Sequence, residues 1–125
     1  MQHQYTILHL DDNPVFLNIT KALFQNQEDI NYESVFTAQD AFSYLEKNEP
    51  DLIFVDLMLD DKDPETGICF IEKVNQRFPK ARMLVITGHQ NNLSNRVSPF
   101  IIDYIQKGYD PGPFTQKILS HLKKK

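Results

Sequence analysis

The chain has 125 residues, of which 41% are hydrophobic and 24% charged, and its net charge is −4. This length bounds it to one domain over residues 1–125 with a single core, and the composition is that of a soluble globular protein. The acidic balance gives no electrostatic reason to expect direct nucleic-acid binding, one cysteine excludes an internal disulfide, and no apolar run nears the ~20 residues of a membrane span.

Tyr5 to Leu10 reads as the first strand, with no signal peptide ahead of it, and Asp11 and Asp12 follow at its end. A cytoplasmic location is the expectation. Asn13-Pro14 sets a cap donor before proline at the first helical position, and Val15, Phe16, Ile19, Leu23 and Phe24 then recur at helical spacing. Tyr32 to Phe36 reads as a short alternating strand. Thr37 caps a second helix whose apolar positions are Ala38, Ala41, Phe42 and Leu45, ending before Asn48-Glu49-Pro50.

Leu52 to Val55 is the continuous apolar run of a strand buried on both faces, and Asp56 follows it directly. A polar loop occupies Asp60 to Thr66. The third helix carries Ile68, Phe70, Ile71, Val74 and Phe78 and stops at Pro79; Cys69 within it reads as a buried structural thiol. Met83 to Ile86 is the fourth strand, ending on Thr87, and Gly88 beside it permits close backbone approach. Gln90 to Ser98 is polar and weakly periodic, and reads as a short or mobile fourth helix. Ile101 to Ile105 is the fifth strand, with Lys107 just beyond it. After Gly108 and the Asp110 to Pro113 turn, Phe114, Ile118, Leu119 and Leu122 form a closing amphipathic helix, and the tail from Lys123 to Lys125 complements its dipole.

Strand and helix signals thus alternate five times, which implies an α/β doubly wound domain: a parallel sheet with right-handed crossovers and helices on both faces. Ligands bind such sheets outside the carboxyl ends of the strands. Asp11, Asp12, Asp56, Thr87 and Lys107 would therefore meet at one edge. Two like charges cost about 4 kcal/mol at 4 Å in a near-surface dielectric, a cost that a divalent cation removes. Mg²⁺, a hard ion that prefers oxygen ligands and keeps waters for a phosphate to replace, suits three carboxylates. The plainer alternative makes Asp12 a helix cap and Asp11 its solvated neighbour. Asp56 is the candidate nucleophile toward a phosphoryl group, with Lys107 and the cation supplying positive charge and Thr87 a hydroxyl to its oxygens.

These residues resemble a response-regulator receiver domain of two-component phosphorelay signalling over essentially the whole chain. The matching pieces are Leu10 to Asn13, Thr37 to Ala41, Pro50 to Asp56, Leu84 to Gly88 and Ile105 to Gly108. The resemblance implies a flavodoxin-like (βα)5 fold with strand order 2-1-3-4-5. It implies Asp56 as phosphoacceptor, and Asp12, Asp56 and the backbone carbonyl of Met58 as Mg²⁺ ligands, with Asp11 holding the ion through water. Thr87 becomes the switch hydroxyl, Lys107 pairs with the phosphoryl group, and Tyr104 reports the switch by turning inward. The implied partners are a sensor histidine kinase or histidine phosphotransfer protein and a downstream protein target, met at the face of the fourth helix, fifth strand and closing helix. Neither nucleic acid nor membrane is a direct partner.

The loop after Asp56 departs from the family pattern. It is long and acidic, Asp60 stands near the usual proline, and Thr66 rather than aspartate precedes Gly67. Lys107 is followed by Gly108 instead of the common proline. Met58 and His89 occupy the positions that tune hydrolytic water, and neither is a water-activating carboxylate or amide, so slow self-dephosphorylation is expected. Two rival readings stand beside the switch. One is a phosphorylation-independent receiver-like binding module, which the altered loop keeps open. The other is an aspartyl-phosphate hydrolase, which needs a second acid where Met58 stands. The sequence leaves open whether the chain acts alone or is excised from a larger protein.

Overall fold

Five strands form one parallel sheet in the order β2-β1-β3-β4-β5. In the computed structural model, which describes residues 4–57, 65–88 and 97–123, these are β1 (Tyr5–Leu10), β2 (Ile30–Val35), β3 (Leu52–Val55), β4 (Met83–Thr87) and β5 (Ile101–Gln106). The helices between them are α1 (Pro14–Phe24), α2 (Ala38–Lys47), α3 (Glu65–Arg77) and α4 (Pro111–Lys123). This is the flavodoxin-like arrangement expected from the sequence. The expected fourth helix lies mostly outside the described residues; at its end Val97 is buried and Ser98–Phe100 makes a 3-10 turn.

Period-two alternation divides the core into two layers. Leu8, Leu10, Ile53, Val55, Met83 and Val85 face one side with Ala41 and Leu45 of α2 and Ile68, Ile71 and Val74 of α3. Ile7, Leu52, Phe54, Leu84 and Ile86 face the other with Phe24 of α1 and Phe114, Ile118 and Leu122 of α4. Every residue of β3 and β4 is buried, as apolar runs covered on both faces must be. Each such side chain contributes about 1.5–3 kcal/mol of burial, so the two central strands are the firmest part of the frame.

Several local readings need correction. Val15 (65% exposed) and Ile19 face outward on α1, whose buried residues are Leu17, Thr20 and Phe24. β2 begins at Ile30 because β1 pairs with it from Tyr5 onward, and it stops at Val35, whose carbonyl accepts the Asp11 N–H; Phe36 is exposed. Cys69 is also exposed, because it falls with Lys73 and Gln76 on the outer stripe of α3 while Ile68, Phe70, Ile71 and Val74 turn inward. On β5 the register with β4 slips, pairing Met83 with Ile101 but Leu84 with Asp103. The extra residue, Ile102, lets Ile101 and Tyr104 pack on the α3 side while Ile105 joins the α4 side.

Candidate functional site

Asp11 lies just past β1, and its fully buried carboxylate accepts the Asn13 N–H at 2.9 Å. Asn13 is the cap of α1, with its Oδ1 taking the N–H groups of Val15 and Phe16 at 3.0 and 3.2 Å. Asp12 is therefore not the cap: it is exposed at the site, beside Asp11 and Asp56. Asp56 follows β3, is only 4% exposed, and its N–H bonds the Leu10 carbonyl at 3.1 Å. Ligand atoms of Asp11, Asp12 and Asp56 all lie within 4.8 Å of one another.

Lys107 leaves the end of β5, where its N–H donates to the Thr87 carbonyl at 2.8 Å. Its ammonium sits 2.9 Å from Asp11 Oδ2 and 3.2 Å from Asp56 Oδ2. Burial pushes the Asp11 carboxyl up and the Asp56 charge adds to this, against the Asn13 N–H and Lys107. Burial alone would lower the Lys107 ammonium, but Asp11 and Asp56 outweigh it and hold it above the ordinary lysine value. The site thus combines closely spaced anions with one amine that only partly offsets them.

Thr87 closes β4 fully buried, and its Oγ1 has no hydrogen-bond partner among the described residues. Buried hydroxyls are nearly always paired, which makes this one an exception, at the strand end that also holds the Lys107 N–H. The close backbone approach expected at Gly88 is not what the structure has: a Cβ there would sit 3.6 Å from Lys107 Cδ, an ordinary side-chain contact. Gly108, at φ +91°, does need glycine to turn the chain after Lys107.

Tyr104 is half-buried and packs on the α3-side layer. Its N–H donates to Asp103 Oδ1 at 2.8 Å, and Asp103 Oδ2 accepts from His121 Nε2 of α4 at 2.8 Å. Met58 and His89 lie outside the described residues.

Two contributors escaped sequence reasoning. A Cβ on Gly67 would lie 2.3 Å from Leu57 Cα and 2.7 Å from the Asp56 carbonyl oxygen, so α3 starts directly against the backbone that carries Asp56. A glycine inside a helical pattern is the signal that could have shown it. His9, buried on β1, places Nδ1 2.6 Å from Tyr32 Oη; burial, then Lys107, lowers its pKa to about 3. It is therefore neutral and adds no charge beneath the site.

The response regulator receiver domain family matches residues 7–119. The chain belongs to that family, whose members serve two-component signalling. It is 30% identical over 86 residues to the uncharacterized transcriptional regulatory protein YhcZ of Bacillus subtilis (strain 168), covering 68% of this chain and 39% of that relative. Among solved structures, a CheY-like receiver domain protein of Methanospirillum hungatei JF-1 superposes with a TM-score of 0.79 at 25% identity, covering 97% of this chain and 95% of the other. The signal receiver domain of an HD domain-containing protein from Pseudomonas fluorescens Pf-5 gives 0.84 at 20% identity, with 98% and 90% covered. No helix among the described residues is long and apolar enough to cross a membrane.

Proposed function

We propose that this receiver takes a phosphoryl group onto Asp56 from the phosphohistidine of a sensor kinase or phosphotransfer protein and changes a protein-binding face in response. The observation that carries the reading is the clustering of Asp11, Asp12 and Asp56, with the Lys107 ammonium on Asp11 and Asp56 and the buried Thr87 hydroxyl unpartnered among the described residues.

The donor set fits Mg²⁺: three carboxylates with ligand atoms within 4.8 Å offer hard oxygens in a pocket whose negative charge one amine does not balance. Asp12 and Asp56 would hold the ion directly, Asp11 through water, and the Met58 carbonyl would complete the protein's share. When bound, the ion supplies positive charge to the phosphoryl oxygens.

The chain's own residues do the rest. Asp56 is anchored by β3 and by its N–H bond to Leu10, so one carboxylate oxygen is held for in-line attack on phosphorus. The new O–P bond forms as the P–N bond to imidazole breaks. Lys107, already 3.2 Å from Asp56 Oδ2, pairs with the incoming oxygens. Thr87 donates a hydrogen bond from its hydroxyl to one of them, which satisfies a buried group. The modification adds about −1.5 to −2 charge. Movement of Thr87 then draws Tyr104 inward beside it, altering the face around β5 and α4. On this reading the protein is a cytoplasmic switch acting on a downstream protein, not a turnover enzyme.

The test is intact mass after incubation with acetyl phosphate, with and without Mg²⁺, for the wild type and Asp56→Asn. A Mg²⁺-dependent gain of one phosphoryl group, absent in the variant, is expected. No gain in the wild type, together with no beryllofluoride binding, would favour the phosphorylation-independent module.

A further inference from the structure

Lys107 has a third neighbour that the reading above does not use. Its Nζ stands 4.5 Å from the ring centroid of Phe16, in the first turn of α1, while it contacts Asp11 and Asp56. An ammonium within about 6 Å of an aromatic face is attracted by the ring quadrupole. The ring is braced edge-on from two sides, by His9 at 5.6 Å and 86° and by Tyr109 at 6.2 Å and 68°. Tyr109 is itself stacked on Phe114 of α4 at 4.0 Å and 11°. Phe16 therefore has a fixed orientation, and the brace reaches from β1 to α4.

The carboxylates and the ring hold the ammonium differently. Asp11 and Asp56 lend oxygens that a divalent cation or a phosphoryl group also claims, so their hold changes as the site is used. The ring has no lone pair to give away, and its attraction is the same in each state. A lysine on a flexible four-carbon stem would otherwise be released into solvent when those oxygens are taken.

We propose that Phe16 is a positioning residue: an aromatic seat that keeps the Lys107 ammonium beside Asp56 when Asp11 and Asp56 are engaged by other ligands. The inference rests on Asp56 being the phosphoacceptor, and its test has one arm that does not.

Phe16→Leu keeps apolar bulk but removes the quadrupole, whereas Phe16→Tyr keeps the ring face. The first arm is NMR of the Lys107 side chain without any phosphodonor. In the wild type its Cε protons should be shifted upfield by the ring and stay so when Mg²⁺ is added; in Phe16→Leu the shift should be lost, and in Phe16→Tyr regained. The second arm is the rate of Mg²⁺-dependent phosphorylation by acetyl phosphate. It should fall about threefold to tenfold in Phe16→Leu and recover in Phe16→Tyr, in line with a cation–π contribution of that order. The seat is overturned if the wild-type shift is absent or collapses on adding Mg²⁺, or if Phe16→Leu is phosphorylated at the wild-type rate. A wild type that keeps the shift in Mg²⁺ but accepts no phosphoryl group counts against Asp56 as acceptor alone; the seat then stands on the NMR result.

Discussion

Gly67→Ala should both loosen the fold and misplace the acceptor aspartate. A methyl at this position would lie 2.3 Å from Leu57 Cα, 2.6 Å from the Leu57 carbonyl oxygen and 2.7 Å from that of Asp56. Carbon–carbon contacts are most favourable at about 3.5–4.0 Å, so the start of α3 and the backbone at Asp56 and Leu57 must part by about 1 Å. All three obstructing atoms are backbone, and no rotamer change can relieve them. The 2.9 Å bond from the Gly67 N–H to the Leu57 carbonyl would stretch as well. Against this, alanine gains at most about 1 kcal/mol over glycine within a helix. Overpacking costs about 1–3 kcal/mol, and with only backbone to give way the upper end applies, leaving a net destabilisation of about 2 kcal/mol and a Tm lowered by several degrees. A displacement of about 1 Å at a reacting group can cost on the order of 100-fold in rate. Guanidinium unfolding and the initial rate of phosphorylation by acetyl phosphate would be measured on the same preparation. A variant as stable as the wild type and phosphorylated equally fast would show that α3 is not seated on the Asp56–Leu57 backbone.

Three further outcomes are expected. Because burial lowers His9 to about 3 from 6.5, the unfolded chain binds its proton first; its contribution is intact above pH 6.5 and is lost as pH falls through the window toward 3. The loss is about 2 kcal/mol at pH 5, and the stability gap between wild type and His9→Gln should change by that amount between pH 7.5 and 5; a gap constant with pH would sink the argument. Thr87→Val removes a buried hydroxyl unpartnered among the described residues and should raise stability by about 1 kcal/mol while abolishing the spectral response to beryllofluoride; lower stability would mean that the hydroxyl is satisfied. Lys107→Met leaves Asp11 and Asp56 without their amine, so its Tm should be lower without Mg²⁺ and rise further with it than the wild type's. An equal rise in both proteins would show that ammonium and cation do not share those oxygens.

The sheet was legible because strands covered on both faces must be continuously apolar, as Leu52 to Val55 and Met83 to Ile86 are. Asp11, Asp12, Asp56, Thr87 and Lys107 could be placed at one edge because parallel strands all end there, whatever their spacing in the chain. Which face a helical residue takes was less legible. Val15 and Ile19 share the helical period with Phe16 and Leu23, and only docking against β2 and α4 decided that Leu17, Thr20 and Phe24 turn inward. Cys69 was misjudged for the same reason, since an apolar neighbourhood in sequence does not fix a side of the helix. The Gly67 contact and the Phe16 ring beneath Lys107 join residues distant in sequence through backbone proximity and ring geometry, which no local pattern encodes.

The slipped register on β5 makes the two margins of the sheet unequal. A strand with an unmatched Ile102, preceded by Pro99 and followed by the side-chain-bonded Asp103, presents a broken row of donors and acceptors along its outer side. Such an edge is a poor template for a foreign strand, and so resists sheet-to-sheet aggregation. β2 pairs with β1 through six successive residues without interruption and offers the regular outer ladder. Any strand-addition assembly, whether wanted or pathological, would therefore grow from the β2 side and leave the β5 side to contacts made through side chains.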